Sequence, residues 1–232
     1  IPFFSIDLRI KDILELLKNI SFPYNKNVSS NKIQEILNKR FPNKNVVLLP
    51  SARLGFYLTL KKYFKENDEV IFSAMSFPLY IKIANQLKLK VKLIDVNERD
   101  LNIDVKKLRD SISKNTKGII ITHLFGYPCE VDKIKELIQD KDIKLIEDCA
   151  QSFGTYYNNV ETGNFGDVGI FSCSLVKIPT TLGGGILVTS DRDLKNFIEI
   201  WLSENLPTSL SKDISYGIKN LISVANSFPF IY

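Results

Sequence analysis

The chain has 232 residues, room for one large domain or for one large domain and part of a second. Hydrophobic residues make up 44% and charged residues 25%, a balance that excludes an intrinsically disordered chain. The net charge of +5 is spread through ordinary helical stretches such as Lys61-Lys62, Lys106-Lys107 and Lys88 to Lys92, so it reads as solvated faces and not as a nucleic-acid surface. Three cysteines (Cys129, Cys149, Cys173) and one histidine give no four-ligand zinc pattern, and the odd count fits a reduced, intracellular protein; two of the three sit in apolar surroundings and read as buried thiols. No run of about 18 apolar residues is present to span a membrane. The start at Ile1 carries no charged leader, so it is not read as a signal peptide; a trimmed chain or part of a longer protein is expected instead.

Residues 1 to 40 are expected to form two helices. Ile10, Ile13, Leu14, Leu17 and Ile20 recur at helical spacing behind a candidate Asp7 cap. Pro23 to Asn27 reads as a loop, and a second helix starting at Ser30 or Asn31 carries Ile33, Ile36 and Leu37 on one face. Val46 to Leu49 is a short apolar strand ending at Pro50. Ser51-Ala52-Arg53-Leu54-Gly55 then opens a helix through Leu58, Leu60 and Phe64. A strand feeding straight into a helix N-terminus suits an anion, although an ordinary cap has the same look.

Further units follow in turn. The strand Glu69 to Phe72 leads through the Ser73 to Pro78 loop into a helix from about Leu79 to Leu87. The strand Lys90 to Asp95 alternates only in part, which suggests a place near a sheet edge. Asp104 caps a short helix to Ser111, and Lys117 to Thr122 is a strand that ends in the loop His123 to Pro128. A helix from Val131 to Gln139 precedes the strand Lys144 to Glu147. Strand and helix thus alternate about every 20 to 25 residues, the pattern of βα units with a mostly parallel sheet whose strand ends bind ligands. Val168 to Ser172 and Gly185 to Thr189 look like antiparallel or crossover additions. Asp191 to Ser203 is a helix with Leu194, Ile198 and Trp201. Ser211 to Asn220 reads as a loop or short helix. The apolar ending Phe228 to Tyr232 suggests a missing segment or a subunit contact.

The chemistry concentrates between Lys144 and Thr189. Asp148 is placed one residue past a strand, where a carboxylate has several uses: a base, a helix cap, or the partner of a protonated pyridine nitrogen that keeps the ring an electron sink. Few convergent ligands favour a metal there. Lys177 lies among apolar neighbours beside Gly183-Gly184-Gly185. It is either a solvated side chain or a pocket amine able to condense with an aldehyde. Ser172 and Ser174 are candidates to hold phosphate oxygens. Together these groups suit a cofactor with one basic nitrogen, one phosphate and one aldehyde.

Several blocks in order carry a resemblance. Asn67-Asp68-Glu69-Val70-Ile71 is similar to a Gly-Asp-Glu-Val-Ile strand start, and His123-Leu124-Phe125-Gly126 to a His-Leu-Tyr-Gly loop. Glu147-Asp148-Cys149-Ala150-Gln151-Ser152-Phe153-Gly154 is similar to a Glu-Asp-Ala-Ala-Gln-Ala-His-Gly block, and Gly166 through Ser172 to Lys177 to a lysine block. On these the chain, from about Pro2 to about Asp193, resembles the DegT/StrS-type sugar aminotransferase family, pyridoxal 5'-phosphate (PLP) enzymes of fold type I.

The resemblance implies a three-layer αβα fold with a mostly parallel central sheet. Residues 1–205 would be the PLP-binding large domain and 206–232 the start of a linker or of an incomplete C-terminal domain. It implies that Lys177 is the Schiff-base lysine and proton shuttle and that Asp148 pairs with the pyridine nitrogen. Gln151 would lie beside the ring, Ser172 on the phosphate, and Phe77 over the ring face. Ser51 and Ala52 would present backbone amides to the phosphate, with Arg53 adding to or crowding them. No metal is implied. The implied reaction moves an amino group, from a donor such as glutamate, to a keto-sugar that is nucleotide-linked, in a cytoplasmic homodimer. The chain departs from the family at Arg53, Phe153 and Leu182-Gly183, which leaves open a truncated, catalytically weak paralogue acting as a PLP-binding or partner subunit. The dehydrating branch of the family looks to have histidine at the lysine position, so Lys177 argues against dehydration.

Overall fold

The computed structural model describes residues 26–174, 177–181 and 183–206, with side chains from residue 31 onward. The first predicted helix with its Asp7 cap, the Ser211 to Asn220 segment and the apolar ending lie outside the described residues, as do Leu175, Val176 and Leu182.

In chain order the elements are α1 (Lys26–Arg40), β1 (Asn45–Leu49), α2 (Ala52–Tyr63), β2 (Glu69–Ser73), α3 (Pro78–Gln86), β3 (Lys90–Ile94), α4 (Val105–Ser111) and β4 (Thr116–Thr122). They continue with α5 (Val131–Ile138), β5 (Lys144–Asp148), the two-residue strands β6 (Tyr156–Tyr157) and β7 (Val160–Glu161), β8 (Val168–Ser172), β9 (Gly185–Thr189) and α6 (Arg192–Asn205). Seven strands form one sheet in the order β1-β9-β8-β5-β4-β2-β3. β8, β5, β4, β2 and β3 pair in parallel, and β9 runs antiparallel to both β1 and β8.

Helices cover both faces, which makes the fold three layers deep. Alternate residues of each inner strand point to opposite sides. Val70 and Phe72 of β2 join Ile120, Ile146 and Leu187 under α2, α3 and α6. Ile71, Ile119, Ile121 and Leu145 face α4 and α5. A third cluster sets Leu37 and Phe41 against Val46, Phe171 and Val188, which docks α1 on that second face. Near-continuous apolar strands are what a sheet buried on both sides requires.

Four expectations change. α1 begins at Lys26, and of its expected apolar face only Leu37 is buried, while Ile33 is 41% and Ile36 63% exposed. Helical spacing puts residues on one face, but among the described residues the apolar contact of α1 with the sheet runs through Leu37 and the following Phe41, beside the Gln34 amide that donates to the Val46 carbonyl at 2.9 Å. β8 and β9 are interior strands, each hydrogen-bonded to a neighbour on both edges, although β9 does run antiparallel to its neighbours as expected. Asp148 is the last residue of β5, in register with Thr122 of β4, and not one residue beyond it. The β6–β7 hairpin was not expected. β3 does lie at a sheet edge, and Asp104 and Asp191 cap their helices.

Candidate functional site

The parallel strands β1, β2, β4, β5 and β8 all deliver their C-terminal ends to one side of the sheet. A cavity of about 360 Å³ opens there, the place where open α/β sheets bind ligands and a volume within the range of small-molecule sites. All eight residues singled out from the sequence border it: Ser51, Ala52, Arg53, Phe77, Asp148, Gln151, Ser172 and Lys177. Tyr80 and Ser174 border it as well.

Ser51 follows β1 and Pro50 in extended backbone and caps α2. Its Oγ accepts the Leu54 N–H at 3.2 Å and its carbonyl accepts the Gly55 N–H at 3.3 Å. The Arg53 N–H has no hydrogen-bond partner among the described residues, and neither does the Arg53 guanidinium. Positive charge and a helix N-terminus therefore meet at one end of the cavity. β9 starts against this same turn. A Cβ on Gly185 would stand 2.5 Å from the Ala52 nitrogen and 2.9 Å from its Cα, so only glycine lets the strand come so close.

Asp148 is 3% exposed. One carboxylate oxygen accepts the Ala150 N–H at 3.1 Å and the other a long 3.5 Å bond from the Thr122 hydroxyl. Burial raises its pKa above the ordinary carboxylate value; the Ala150 N–H opposes the rise, and so does the positive charge of Lys177. Lys177 has no ion-pair partner among the described residues. Ser172, the last residue of β8, has its Oγ 3.3 Å from that of Ser174.

The Gln151 amide is oriented by its surroundings. The Phe125 N–H donates to its Oε1 at 3.1 Å, so the NH₂ is the end left for the cavity. Phe125 makes this bond from the left-handed region at φ 53. On the cavity's other side Phe77 precedes α3 and meets Tyr80 edge-on at 5.7 Å.

Glu147 and His123 escaped sequence reasoning, although both sit inside the motifs. Glu147 is fully buried and accepts N–H groups from Gly163 (2.8 Å), Phe165 (2.8 Å) and Gly166 (2.7 Å). It also pairs with His123 Nε2 at 3.0 Å. Because His123 Nδ1 accepts the Cys129 N–H at 3.0 Å, Nε2 carries the proton and donates. His123, Glu147 and Cys149 place one ligand atom each within 4.8 Å of one another. Both nitrogens of His123 and both oxygens of Glu147 are already engaged, so the trio is a structural tie and not a metal centre. Phe153, where the resemblance has histidine, lies under the Arg40 guanidinium at 4.3 Å and packs on Phe171.

By fold and site the chain is an α/β protein with a ligand cavity at the C-terminal strand ends, centred on a buried carboxylate and a lysine. It belongs to the DegT/DnrJ/EryC1/StrS aminotransferase family, whose model matches residues 14–212. It is similar to the GDP-4-keto-6-deoxy-D-mannose 3-dehydratase of Escherichia coli O55:H7 (strain CB9615 / EPEC), at 30% identity over 97% of this chain and 60% of that protein. It is also similar to the GDP-perosamine synthase of Escherichia coli O157:H7, at 31% identity over 71% of this chain and 46% of that protein. Among solved structures, a GDP-4-keto-6-deoxymannose-3-dehydratase with a trapped PLP-glutamate geminal diamine superposes with a TM-score of 0.77 at 29% identity. That match covers 90% of this chain and 57% of the other. The chain thus spans 60% or less of the length of these curated relatives. Among the described residues no helix is long and apolar enough to cross a membrane.

Proposed function

We propose that the chain is the cofactor-binding part of a PLP-dependent aminotransferase that passes an amino group, from a donor such as glutamate, to a nucleotide-linked keto-sugar. The observation that carries this reading is the meeting of Asp148 and Lys177 on one cavity with Ser51, Arg53 and Ser172.

The residues present fit the cofactor. A buried carboxylate with few hydrogen bonds suits a cationic ring nitrogen. The cationic turn at Arg53 suits a phosphate, and Phe77 offers exposed apolar ring surface. When bound, PLP supplies an electrophilic carbonyl carbon and a ring that accepts electron density. Asp148 would hold the proton on the ring nitrogen. The Gln151 NH₂ would orient the ring. The Ser51 and Ala52 amides, Arg53 and Ser172 would hold the phosphate, and Phe77 would shield the ring from water. Lys177 would hold the cofactor through Nζ and would carry the proton at Nζ during amino transfer.

Residues 1–205 form the large cofactor-binding domain in this reading, and 206–232 begin a linker or a second domain. The working form is a cytoplasmic homodimer, supported by the exposed apolar side chains Phe77, Phe125, Tyr127 and Ile178 on the described surface. The likeness to a 3-dehydratase favours dehydration as a second reading. Lys177, at the position where the resemblance gives that branch histidine, weighs against it.

The test is an absorbance titration of the purified chain with PLP, followed by borohydride reduction and peptide mapping. The label is expected on Lys177, and glutamate is expected to change the absorbance before reduction. Lys177→Ala is expected to abolish both. A spectrum in which Lys177→Ala matches the parent chain would sink the assignment. A fixed label with no response to glutamate would favour the weak-paralogue reading.

A further inference from the structure

Tyr80 is the third residue of α3. Its ring stacks on Phe56 of α2 with centroids 3.9 Å apart and planes 11° from parallel. The side chain is only 2% exposed, yet among the described residues its hydroxyl has no hydrogen-bond partner. Among those residues no fully shielded side-chain oxygen or nitrogen goes unpaired. The small accessible part of Tyr80 must therefore include the phenol oxygen. The opening that Tyr80 borders is the cavity of Lys177 and Asp148. A nearly buried hydroxyl left open on a cavity is a group set to meet a ligand.

Its chemistry narrows the choice of ligand group. Burial, and next the Asp148 carboxylate, hold the phenol's pKa well above its ordinary value, with Arg53 the opposing charge. The hydroxyl keeps its proton at working pH, so it donates and does not act as a base. Arg53 stands at the same cavity with its guanidinium and its backbone N–H both unpartnered among the described residues. The hydroxyls of Ser172 and Ser174 also border it. Donors in this number, with a full positive charge, match a dianion better than a neutral group.

We propose that the Tyr80 hydroxyl is a phosphate donor, acting with Arg53 and Ser172 on a bound phosphate monoester, so that the cavity selects a phosphorylated pyridine cofactor over the same ring without its phosphate. The inference rests on the PLP reading and adds a residue and a selectivity to it.

Tyr80→Phe removes one oxygen and keeps the stack on Phe56. Dissociation constants for PLP and for pyridoxal, which has a hydroxyl in place of the phosphate, are measured by absorbance titration on parent and variant. The variant is expected to lose affinity for PLP about 10-fold or more, as for a hydrogen bond to a charged group, and to bind pyridoxal within about 2-fold of the parent. The melting temperature of the cofactor-free variant is expected to stay level or rise, since the oxygen it loses had no partner. Equal losses for both ligands, or no loss for PLP, overturn the proposal; so does a lower cofactor-free melting temperature, which marks a packing role. If the parent binds PLP on Lys177 and Tyr80→Phe changes nothing, only this inference falls. If the parent binds no PLP, the functional reading falls and takes the inference with it.

Discussion

Glu147→Gln exchanges one carboxylate oxygen for an amide nitrogen at the most heavily bonded buried side chain of the site region. One carboxylate oxygen accepts from Phe165 and Gly166, the other from Gly163 and His123. A glutamine oxygen can serve one of these pairs; its NH₂ then faces the other two donors. His123 cannot relieve the conflict by moving its proton, because Nδ1 already takes the Cys129 N–H. Two buried donors lose their acceptor, at about 1–3 kcal/mol each, so the variant should be less stable by about 2–6 kcal/mol. Against a total of about 5–15 kcal/mol for a domain, that is a large fraction. Urea unfolding reads it as a lower midpoint at unchanged slope. A loss below about 1 kcal/mol would refute the reasoning. The same scans with a chelator test the alternative that His123, Glu147 and Cys149 are held by a metal: the hydrogen-bond account expects the parent midpoint not to move.

Asp148→Asn tests the electrostatics of the cavity. Burial raises the Asp148 pKa, so the folded cofactor-free chain holds that proton to higher pH than the unfolded chain, whose value is about 3.9. Between those two values the folded state binds more protons, and stability falls as pH rises. Thermal melts from acid to neutral pH should show that fall in the parent and a flatter profile in the variant; a variant with the parent's slope would clear Asp148 as its source. Ser51→Ala removes the cap bond to the Leu54 N–H and should lower stability by about 0.5–2 kcal/mol in urea, with Ser51→Thr keeping most of it. If alanine and threonine behave alike, the cap hydroxyl is not what holds this turn.

Much of the fold was legible because local patterns carried it. The βα alternation from Val46 to Asp148, the Asp104 cap and the partial alternation of Lys90 to Ile94 are signals within a few residues of one another. What failed was non-local. β9 lies between β1 and β8, and its partner Asn45 to Leu49 is far away in the chain, so no window of sequence reveals that Gly185 to Thr189 is interior. Period alone puts Ile33, Ile36 and Leu37 on one face, but it does not say what stands opposite, and Ile33 and Ile36 are exposed. In the site, Asp148, Ser172 and Lys177 stood out because acid, hydroxyl and amine fall at strand ends. Tyr80 did not, because an aromatic early in a nine-residue helix reads as core; only the unpartnered hydroxyl sets it apart. The tie of Glu147 to residues 163–166 needs the turn before β8 folded against the end of β5, which composition does not announce.

Glu147 and Asp148 are neighbours on β5, so the strand turns them to opposite sides. A carboxylate has about four lone-pair positions. Glu147 fills them with three backbone N–H groups and an imidazole N–H, and thereby fixes the turn that leads into β8 and Ser172. Asp148 accepts one N–H at 3.1 Å and one long bond at 3.5 Å, and keeps capacity on its cavity side. Equal burial therefore has opposite consequences. The saturated carboxylate supports the fold, while the unsaturated one strains it until a cationic N–H arrives in the cavity. Substitution at Glu147 should weaken the chain with or without a ligand. Asp148→Asn should spare or stabilise the ligand-free chain at neutral pH and weaken its hold on a ligand whose ring nitrogen must stay protonated.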